Sequence, residues 1–543
     1  MTFSFLKIKI ALYYLLFLSS LPSIIKADDP EITPTTTNEN IIILDTNYII
    51  TKIEGTKTNT NDYNYLLGIF EASTDISFTD GFPIAMIKED VFNNQNSISV
   101  TANCLKAYKY LRYIPPNQNN AKLENIKVYG KTGTTGTPFL ATNLPLMVIK
   151  TENSKDPDST DTYINCQVII INSTDMSVLD TEAEIRIRGH STATLEKKPW
   201  KIKFKKKQIV LDIDNANSYK SWAVLANHYD KSLIRNHLAF EISRDIGLQF
   251  TPRCRFLDVI MNGSFRGNYY ICDQLEIKKG RISIKIANDE KDPDITGGYL
   301  IEIDKRAIEE EKYFLTEKGL VGEIKEPDSD EITKEEENYI KLYMNKMEKN
   351  VYLGNFEYLD LHSFYRYFIM QEFCGDIDTV LSSFHLTKRR GDNKLYFGPV
   401  WDYDLSFDGV MNKKPLFAFY YGASAGTCRD FLKTILLKNN TMSNINKTWN
   451  ELKESVLNFT HLSKYITQET NKILASAKLN YYKWFDSSIE NAESEYKNNV
   501  SAVTDYVKQR FDILTYLINN YDFSDVELKI NFSFLLILIL FIL

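Results

Sequence analysis

The chain changes from strand-type to helix-type patterns along its length, and this order limits the folds that it can adopt. Short runs rich in β-branched and aromatic residues occur between Ile41 and Asp304, separated by Asn, Asp, Gly and Pro, as between strands. Amphipathic patterns with a period of 3.6 residues follow Asp408 and predict helices. These predicted helices are 429–437, 446–458, 465–484 and 503–519. The sequence therefore predicts an α+β fold, preceded by an all-β domain.

Residues 41–131 are predicted to form the all-β domain as a β-sandwich. Their strand-type runs are short and regularly spaced, which favours an antiparallel sandwich. The runs are 41–44, 66–70, 85–88, 97–101, 109–113 and 123–129. Residues 28–40 are poor in apolar side chains and are expected to form a flexible lead-in. The Gly- and Thr-rich segment 132–139 is expected to be a linker to a second domain over residues 140–520.

Both ends of the chain carry apolar segments that resemble sorting signals. Lys7 and Lys9 precede an apolar run that ends near Ala27, an order typical of a secretory signal peptide over residues 1–27. A polar spacer and an apolar tail over residues 521–543 resemble the signal for a glycosylphosphatidylinositol anchor. We therefore expect a protein that passes through the secretory pathway and stays at the cell surface, attached to the membrane by a lipid.

A secreted chain is expected to carry disulfides and glycans. The six cysteines allow three pairs, of which one can be argued from local sequence. The Asn262-Gly263 turn predicts a hairpin in which Cys254 and Cys272 lie nearly opposite each other on adjacent strands, so a disulfide is expected there. Six glycosylation sequons agree with an extracellular protein. They are at Asn172, Asn262, Asn439, Asn446, Asn458 and Asn499.

The composition argues against two classes of function. The chain has 64 Lys and Arg against 71 Asp and Glu, so it is mildly acidic and no nucleic-acid partner is expected. Its six histidines are scattered along the sequence without the spacing of metal ligands, so no zinc site is expected.

The segment Leu395–Asp408 contains the best candidate for a metal site. Asp402 and Asp404 are two residues apart in an apolar and aromatic run of strand character, and an extended backbone places both carboxylates on one face. Carboxylate oxygens suit Mg²⁺ or Mn²⁺, and Mg²⁺ often takes one or two of them together with water and substrate phosphate. A turn with solvated carboxylates is the alternative interpretation of the same residues.

A second candidate lies in the turn that follows Arg188. Gly189 permits a close approach of the backbone, Ser191 offers a hydroxyl, and Lys198 and the lysines after it add positive charge. Such a turn can bind phosphate as Gly-rich nucleotide loops do, although a solvated hairpin with outward lysines has the same composition. Glu241, inside the next predicted helix, is our candidate for an ion pair to a phosphate-binding lysine.

Several segments, taken in order, resemble the spore coat protein H (CotH) kinase family over residues 140–520. They include Arg-Gly-His-Ser-Thr, Lys-Lys-Pro-Trp, an Asn-Gly hairpin, Gln-Glu-Phe and Gly-Pro-Val-Trp-Asp-Tyr-Asp. These segments begin at Arg188, Lys197, Asn262, Gln371 and Gly398. The resemblance implies an atypical protein-kinase-like fold with a β-rich lobe, a helical lobe and ATP bound between them.

The resemblance also implies a role for each candidate residue. Asp378 matches the catalytic Asp, which would orient or deprotonate the acceptor hydroxyl. Ser383 falls where kinases place a metal-binding Asn, and the Trp-Asp-Tyr-Asp segment would hold Mg²⁺, with Mn²⁺ as an alternative. Lys198 or Lys203 would contact the phosphates of ATP together with the Arg188 turn, and the sequence does not choose between the two lysines.

Departures from the family pattern leave two functions open. The family's usual Gly-Asn-Ser-Thr-Trp is Gly-His-Ser-Thr-Ala here, so His190 and Ala193 replace Asn and Trp. The leading prediction is a surface-anchored kinase that phosphorylates Ser and Thr hydroxyls of coat or surface proteins. The alternative is an adhesin- or invasin-like binding protein on a catalytically weak kinase-like scaffold.

The end of the first domain has a local resemblance of its own. Residues 110–116 and 121–130 resemble the closing strands of discoidin-like or galactose-binding-like sandwiches. The resemblance implies a glycan or receptor ligand for this domain. A purely structural sandwich is the alternative.

Overall fold

The computed structural model divides the chain into two compact units, Met1–Phe139 and Leu140–Leu543. It describes residues 29–38, 41–92, 96–116, 121–214, 216–289, 292–310, 312–328, 331–376, 381–408 and 426–520. The predicted secretory and anchor signals, residues 1–27 and 521–543, lie outside these ranges. None of the helices within the ranges combines the length and the apolar character that crossing a membrane requires.

The first unit is all-β, as the sequence predicts. Its strands are β1 (Glu31–Ile32), β2 (Thr36–Asn38), β3 (Ile41–Lys57), β4 (Ile69–Ser73), β5 (Phe82–Met86), β6 (Ser97–Thr101), β7 (Tyr108–Ile114) and β8 (Leu123–Lys131). The long strand β3 pairs with β2 and β7 in its first part and with β6 and β8 in its second part. Its residues Ile42, Leu44, Ile50 and Ile53 are buried, so one strand supplies the core along the whole unit.

The prediction of a flexible lead-in over residues 28–40 is wrong for two short stretches. Glu31 and Ile32 pair with Tyr129 and Val128 of β8, and residues 36–38 pair with the start of β3. The low apolar content hides this pairing in the sequence, because backbone hydrogen bonds carry it together with the buried side chain of Ile32.

The second unit begins with a closed seven-stranded barrel. Its strands are β9 (Leu146–Thr151), β10 (Ile164–Ile171), β11 (Val178–Ile187), β12 (Trp200–Gln208), β13 (Tyr219–Leu225), β14 (Cys254–Met261) and β15 (Ser264–Asp273). They follow the order β10-β11-β12-β13-β15-β14-β9, and only β9 and β14 are parallel neighbours. Alternate residues such as Ile185, Ile202 and Trp222 fill one hydrophobic core, so the residues between them form the outer face of the barrel.

The β14–β15 hairpin confirms the prediction from Asn262-Gly263. Cys254 and Cys272 are opposite each other in its register, as expected. The expected disulfide is absent: all six cysteines lie in the described residues and are buried free thiols. The Cys254 thiol instead donates a hydrogen bond to the Tyr270 hydroxyl oxygen over 2.6 Å.

A five-stranded sheet follows the barrel. The remaining strands are β16 (Asn288–Asp289), β17 (Asp292–Pro293), β18 (Tyr299–Ile303), β19 (Tyr313–Leu315), β20 (Val321–Glu326), β21 (Phe384–Lys388) and β22 (Leu395–Phe397). β16 and β17 form a small hairpin, and the other five strands form a sheet in the order β19-β20-β18-β21-β22. β18 is central in this sheet, and its residue Glu302 lies between Glu323 of β20 and His385 of β21.

Helices complete the second unit and confirm the α+β prediction. The described part of the chain contains α1 (Arg235–Asp245), α2 (Lys334–Leu353), α3 (Leu361–Cys374), α4 (Gly426–Leu436), α5 (Thr441–Ser455), α6 (Phe459–Trp484) and α7 (Ile489–Asn520). α1 begins at Arg235, because the Asp230 carboxylate accepts hydrogen bonds from the backbone N–H groups of Ser232 and Arg235 and holds a turn before the helix.

Candidate active site

A cavity of about 1190 Å³ lies in the second unit. Its walls come from the outer face of the barrel, from the five-stranded sheet and from the segment that follows β22. Six of the predicted site residues line it. They are Arg188, Gly189, Ser191, Ser383, Asp402 and Asp404. The fold therefore brings together candidates that are more than 200 residues apart in the chain.

Asp402 and Asp404 line the cavity although the segment that carries them is not a strand. It is an irregular turn in which Asp402 has a φ of 66°, so the argument from an extended backbone is wrong. Their shared direction comes instead from Tyr403, which is fully buried. Its hydroxyl donates to Gln371 Oε1 over 2.6 Å, and its N–H donates to Asn236 Oδ1 over 2.8 Å. Anchoring Tyr403 in the core leaves both neighbouring carboxyls on the cavity side.

The electrostatics of Asp402 favour a cation. Burial raises the pKa of its carboxyl, and this effect outweighs the attraction of Arg188 and Arg306, which acts in the opposite direction. Burial also lowers the pKa of Arg188, whose guanidinium lies 5.0 Å from the centre of the Trp401 ring. A buried carboxylate that is costly to ionise is stabilised by a metal ion more than an exposed one is.

Three cations, Arg186, Arg188 and Lys201, form what we call the cationic wall of the cavity. Arg186 faces Lys201 in the register of β11 and β12, and Arg188 follows two residues later. Within the described residues none of the three makes an ion pair, and the Arg186 Nε atom is buried without a hydrogen-bond partner. Three positive charges that form no ion pair among the described residues suit a polyanion such as a triphosphate.

The turn between β11 and β12 presents its backbone to the cavity. Gly189 has a φ of 83°, and a Cβ at this position would collide with Thr192 Oγ1. Lys198 Nζ donates to the carbonyl oxygens of Ala193 and Leu195, each over 2.8 Å. Lys198 therefore stabilises the shape of the turn and does not line the cavity.

Glu302 connects the five-stranded sheet to the backbone at Ser383. Its Oε1 accepts the Ser383 N–H over 3.0 Å, and its Oε2 lies 3.5 Å from Lys325 Nζ and 3.8 Å from His385 Nε2. Burial alone would raise the pKa of Glu302, but His385, Lys325 and the Ser383 N–H together outweigh burial and lower it. Glu302 is therefore an ionised anchor for the backbone at Ser383.

The structure does not bring Lys203 or Glu241 to the cavity. Lys203 is exposed on β12, one strand period beyond Lys201. The Glu241 carboxylate accepts a hydrogen bond from Arg244 over 2.8 Å within the same helix. Asp378 lies outside the described residues. Among the residues that are described, no group of three His, Cys, Asp or Glu side chains could hold a metal ion.

Sequence reasoning missed Arg186, Lys201 and Gln274, all of which line the cavity. Arg186 could have been predicted from the sequence, because it is two residues before Arg188 and shares its face of the strand. Only the register of β11 and β12 shows that Lys201, and not Lys203, lies beside Arg186. Nothing local marks Gln274, because the closure of the barrel decides which strand ends border the cavity.

A family model described as CotH kinase protein matches residues 185–514, more than half of the chain and a range that contains every predicted site residue. Among solved structures, the chain is similar to CBM62 from Clostridium thermocellum Xyl5A. The identity is 19%, the TM-score is 0.16, and the match covers 20% of this chain and 79% of that chain. No curated protein matches the chain.

Proposed function

The chain belongs to the CotH kinase family, and we propose that it is an atypical protein kinase that transfers the γ-phosphoryl group of ATP to Ser or Thr hydroxyls of coat or surface proteins. The observation that carries this proposal is the cavity, in which Asp402 and Asp404 share one space with the cationic wall. Phosphoryl transfer depends on positioning and on charge neutralisation, and these two sets of side chains are suited to both tasks.

In this proposal the second unit has the two lobes of a kinase. The barrel and α1 form the β-rich lobe, and helices α2–α7 form the helical lobe. The cavity takes side chains from the barrel and from the segment after β22, just before the long helices begin. A nucleotide bound there would contact the barrel and the segment after β22.

The residues present fit Mg²⁺, with Mn²⁺ as an alternative. Asp402 and Asp404 offer hard oxygen ligands, and Ser383 lines the same cavity. A bound ion would neutralise charge on the phosphates. The cationic wall would bind the phosphate oxygens, and Asp378 would orient the acceptor hydroxyl or accept its proton, the role that the family resemblance gives it.

We also propose that the protein acts at the cell surface. The support is the pattern of residues 1–27 and 521–543, which has the order of a secretory signal and of a lipid-anchor signal. A phospholipase that cleaves glycosylphosphatidylinositol should release the protein from intact cells. Retention on the cells after this treatment would contradict the lipid anchor.

Transfer from labelled ATP tests the kinase proposal directly. The purified protein is incubated with γ-labelled ATP, Mg²⁺ and a generic acceptor protein, and incorporation into the acceptor and into the kinase itself is measured. Asp378→Ala should abolish incorporation, and Asp402→Asn should lower it by roughly 100-fold. Asp158→Asn, a charge change at an exposed carboxylate outside the cavity, is the matched control and should retain full activity.

The outcome for the wild type decides between kinase and binding scaffold. Incorporation no higher than that of Asp378→Ala would overturn the kinase proposal. A melting temperature that rises with the concentration of Mg·ATP supports nucleotide binding, because a ligand of the native state stabilises it by mass action. If the wild type shows neither incorporation nor a rise in melting temperature, the adhesin-like alternative is favoured.

A further inference from the structure

Gln274 lines the cavity from the end of a different strand than the residues of the cationic wall do. It follows Asp273, the last residue of β15, and lines the cavity. Its Oε1 atom is buried and has no hydrogen-bond partner among the described residues. Most buried polar atoms in proteins are hydrogen-bonded. An orphaned acceptor on a cavity wall therefore indicates a position at which a ligand donates.

The barrel sets the distance between Gln274 and the cationic wall. In the sheet order, β13 and β12 separate β15 from β11. Three inter-strand steps of about 4.8 Å therefore separate the end of β15 from β11, an arc of about 14 Å along the barrel surface. An extended nucleoside triphosphate has a comparable length from its base to its terminal phosphate. Phosphates on the cationic wall are therefore compatible with a base at Gln274.

The cavity that Gln274 lines also has apolar walls. Leu275 follows it in the chain and packs with Leu300 in one hydrophobic cluster. Leu225 of β13 and Ile324 of β20 line the same cavity. Ligand sites typically combine such apolar walls with a small number of polar groups that fix orientation. The cavity therefore offers apolar surface for a nucleobase as well as charged groups for phosphates.

We infer, on the basis of the proposed kinase function, that Gln274 recognises the nucleotide base and selects adenine over guanine. A carboxamide offers an acceptor and a donor side by side, and this pair matches the amino group and an adjacent ring nitrogen of adenine. Guanine carries a carbonyl oxygen where adenine has its amino group. Oε1 would then face another acceptor and stay unsatisfied, which costs binding.

Nucleotide affinity tests this role without relying on catalysis. Calorimetric titrations with Mg·ATP, Mg·GTP and inorganic triphosphate compare the wild type with Gln274→Leu, Gln274→Glu and Gln208→Leu. Gln208 is the matched control, because it lies on β12 with its amide bonded to Thr181 and does not line the cavity. The wild type and Gln208→Leu should prefer ATP over GTP by about 10-fold or more.

The variants should change base preference alone. Gln274→Leu should lose most of the preference for ATP, and Gln274→Glu should shift it toward GTP, whose ring N–H and amino groups can donate to a carboxylate. Both should bind inorganic triphosphate as the wild type does, since this ligand has no base. Equal wild-type affinity for ATP and GTP, or an unchanged preference in both Gln274 variants, would overturn the inference and leave the kinase proposal standing. A wild type that binds none of the three ligands would overturn both.

Discussion

Asp402 combines two features that are unfavourable for folding. Its carboxyl is buried enough for its pKa to be raised, and its backbone lies in the left-handed region, where residues other than Gly are uncommon. Features of this kind persist when the surrounding structure enforces them, and they concentrate at functional sites. The buried hydroxyl of Tyr403 and its bond to Gln371 supply that enforcement.

Asp402→Asn should make the metal-free protein more stable near neutral pH. A folded-state pKa above the unfolded value means that the charged form is the costly one, so this group's contribution to stability is present at low pH and is lost as the pH rises. The amide removes that cost, and we expect a gain on the order of 1 kcal/mol. Melting curves at several pH values measure it.

The pH dependence distinguishes removal of the buried Asp402 charge from a general effect of the substitution on stability. The gain should shrink as the pH falls toward about 4, the ordinary pKa of a carboxyl, because the wild-type group is then protonated too. Asp158→Asn changes an exposed carboxylate that is paired with Lys155, and it should bring no gain at any pH. Equal stability of Asp402→Asn and the wild type across the whole range would contradict the cost assigned to the buried charge.

Strand β12 provides a matched pair of lysines for testing the cationic wall. Lys201 lines the cavity opposite Arg186, whereas Lys203, two residues later, is exposed beyond it. Lys201→Ala should weaken nucleotide binding by about 10-fold, the effect of losing one charged contact to phosphate. Lys203→Ala should leave the affinity unchanged. Affinities are measured by titration with Mg·ATP. Similar losses of affinity in both variants would show that the overall positive charge, and not the position of Lys201, strengthens binding.

Local signals predict single elements of this fold well. The Asn262-Gly263 turn identified the β14–β15 hairpin, because the turn residues and the flanking strands agree. α2 was missed although Thr333 and Glu336 form a capping box at its start, a signal that is present in the sequence. The turn at Asp402 was taken for a strand because its apolar and aromatic neighbours are strand formers, whereas burial of Tyr403 decides its conformation.

A buried ion pair connects helices that are far apart in the chain. Arg510 of α7 and Glu372 of α3 are both fully buried. The Arg510 Nε donates to the Glu372 carbonyl oxygen over 2.7 Å, and its terminal nitrogen lies 3.4 Å from the carboxylate. This contact holds α7 against α3.

Arg510→Ala should destabilise the protein by about 3–5 kcal/mol, because it removes the guanidinium from a buried carboxylate. Urea unfolding followed by circular dichroism measures the change. Lys508→Ala, at an exposed position of the same helix, should change stability by less than about 0.5 kcal/mol. A loss of under about 1 kcal/mol for Arg510→Ala would contradict the importance of the pair.

The arrangement of the site depends on contacts that no local pattern contains. The carboxylates at 402 and 404 were found from their spacing, and the turn at Gly189 from its composition. The choice of Lys201 over Lys203 requires strand register, and the place of Gln274 requires the barrel to close. Glu241 was assigned to the site because it is the acid inside the α1 helix, but its nearest cation, Arg244, is on the same helix and pairs with it.

Barrel closure also has a consequence for biosynthesis. β9 pairs with β10 on one side and with β14 on the other, and β14 leaves the ribosome roughly 100 residues, or about 5–20 seconds, after β9. During this interval the nascent barrel is an open sheet with an unpaired edge, a surface to which other chains can add strands. The arrival of β14 and β15 therefore determines whether a newly made chain closes on itself or pairs with its neighbours.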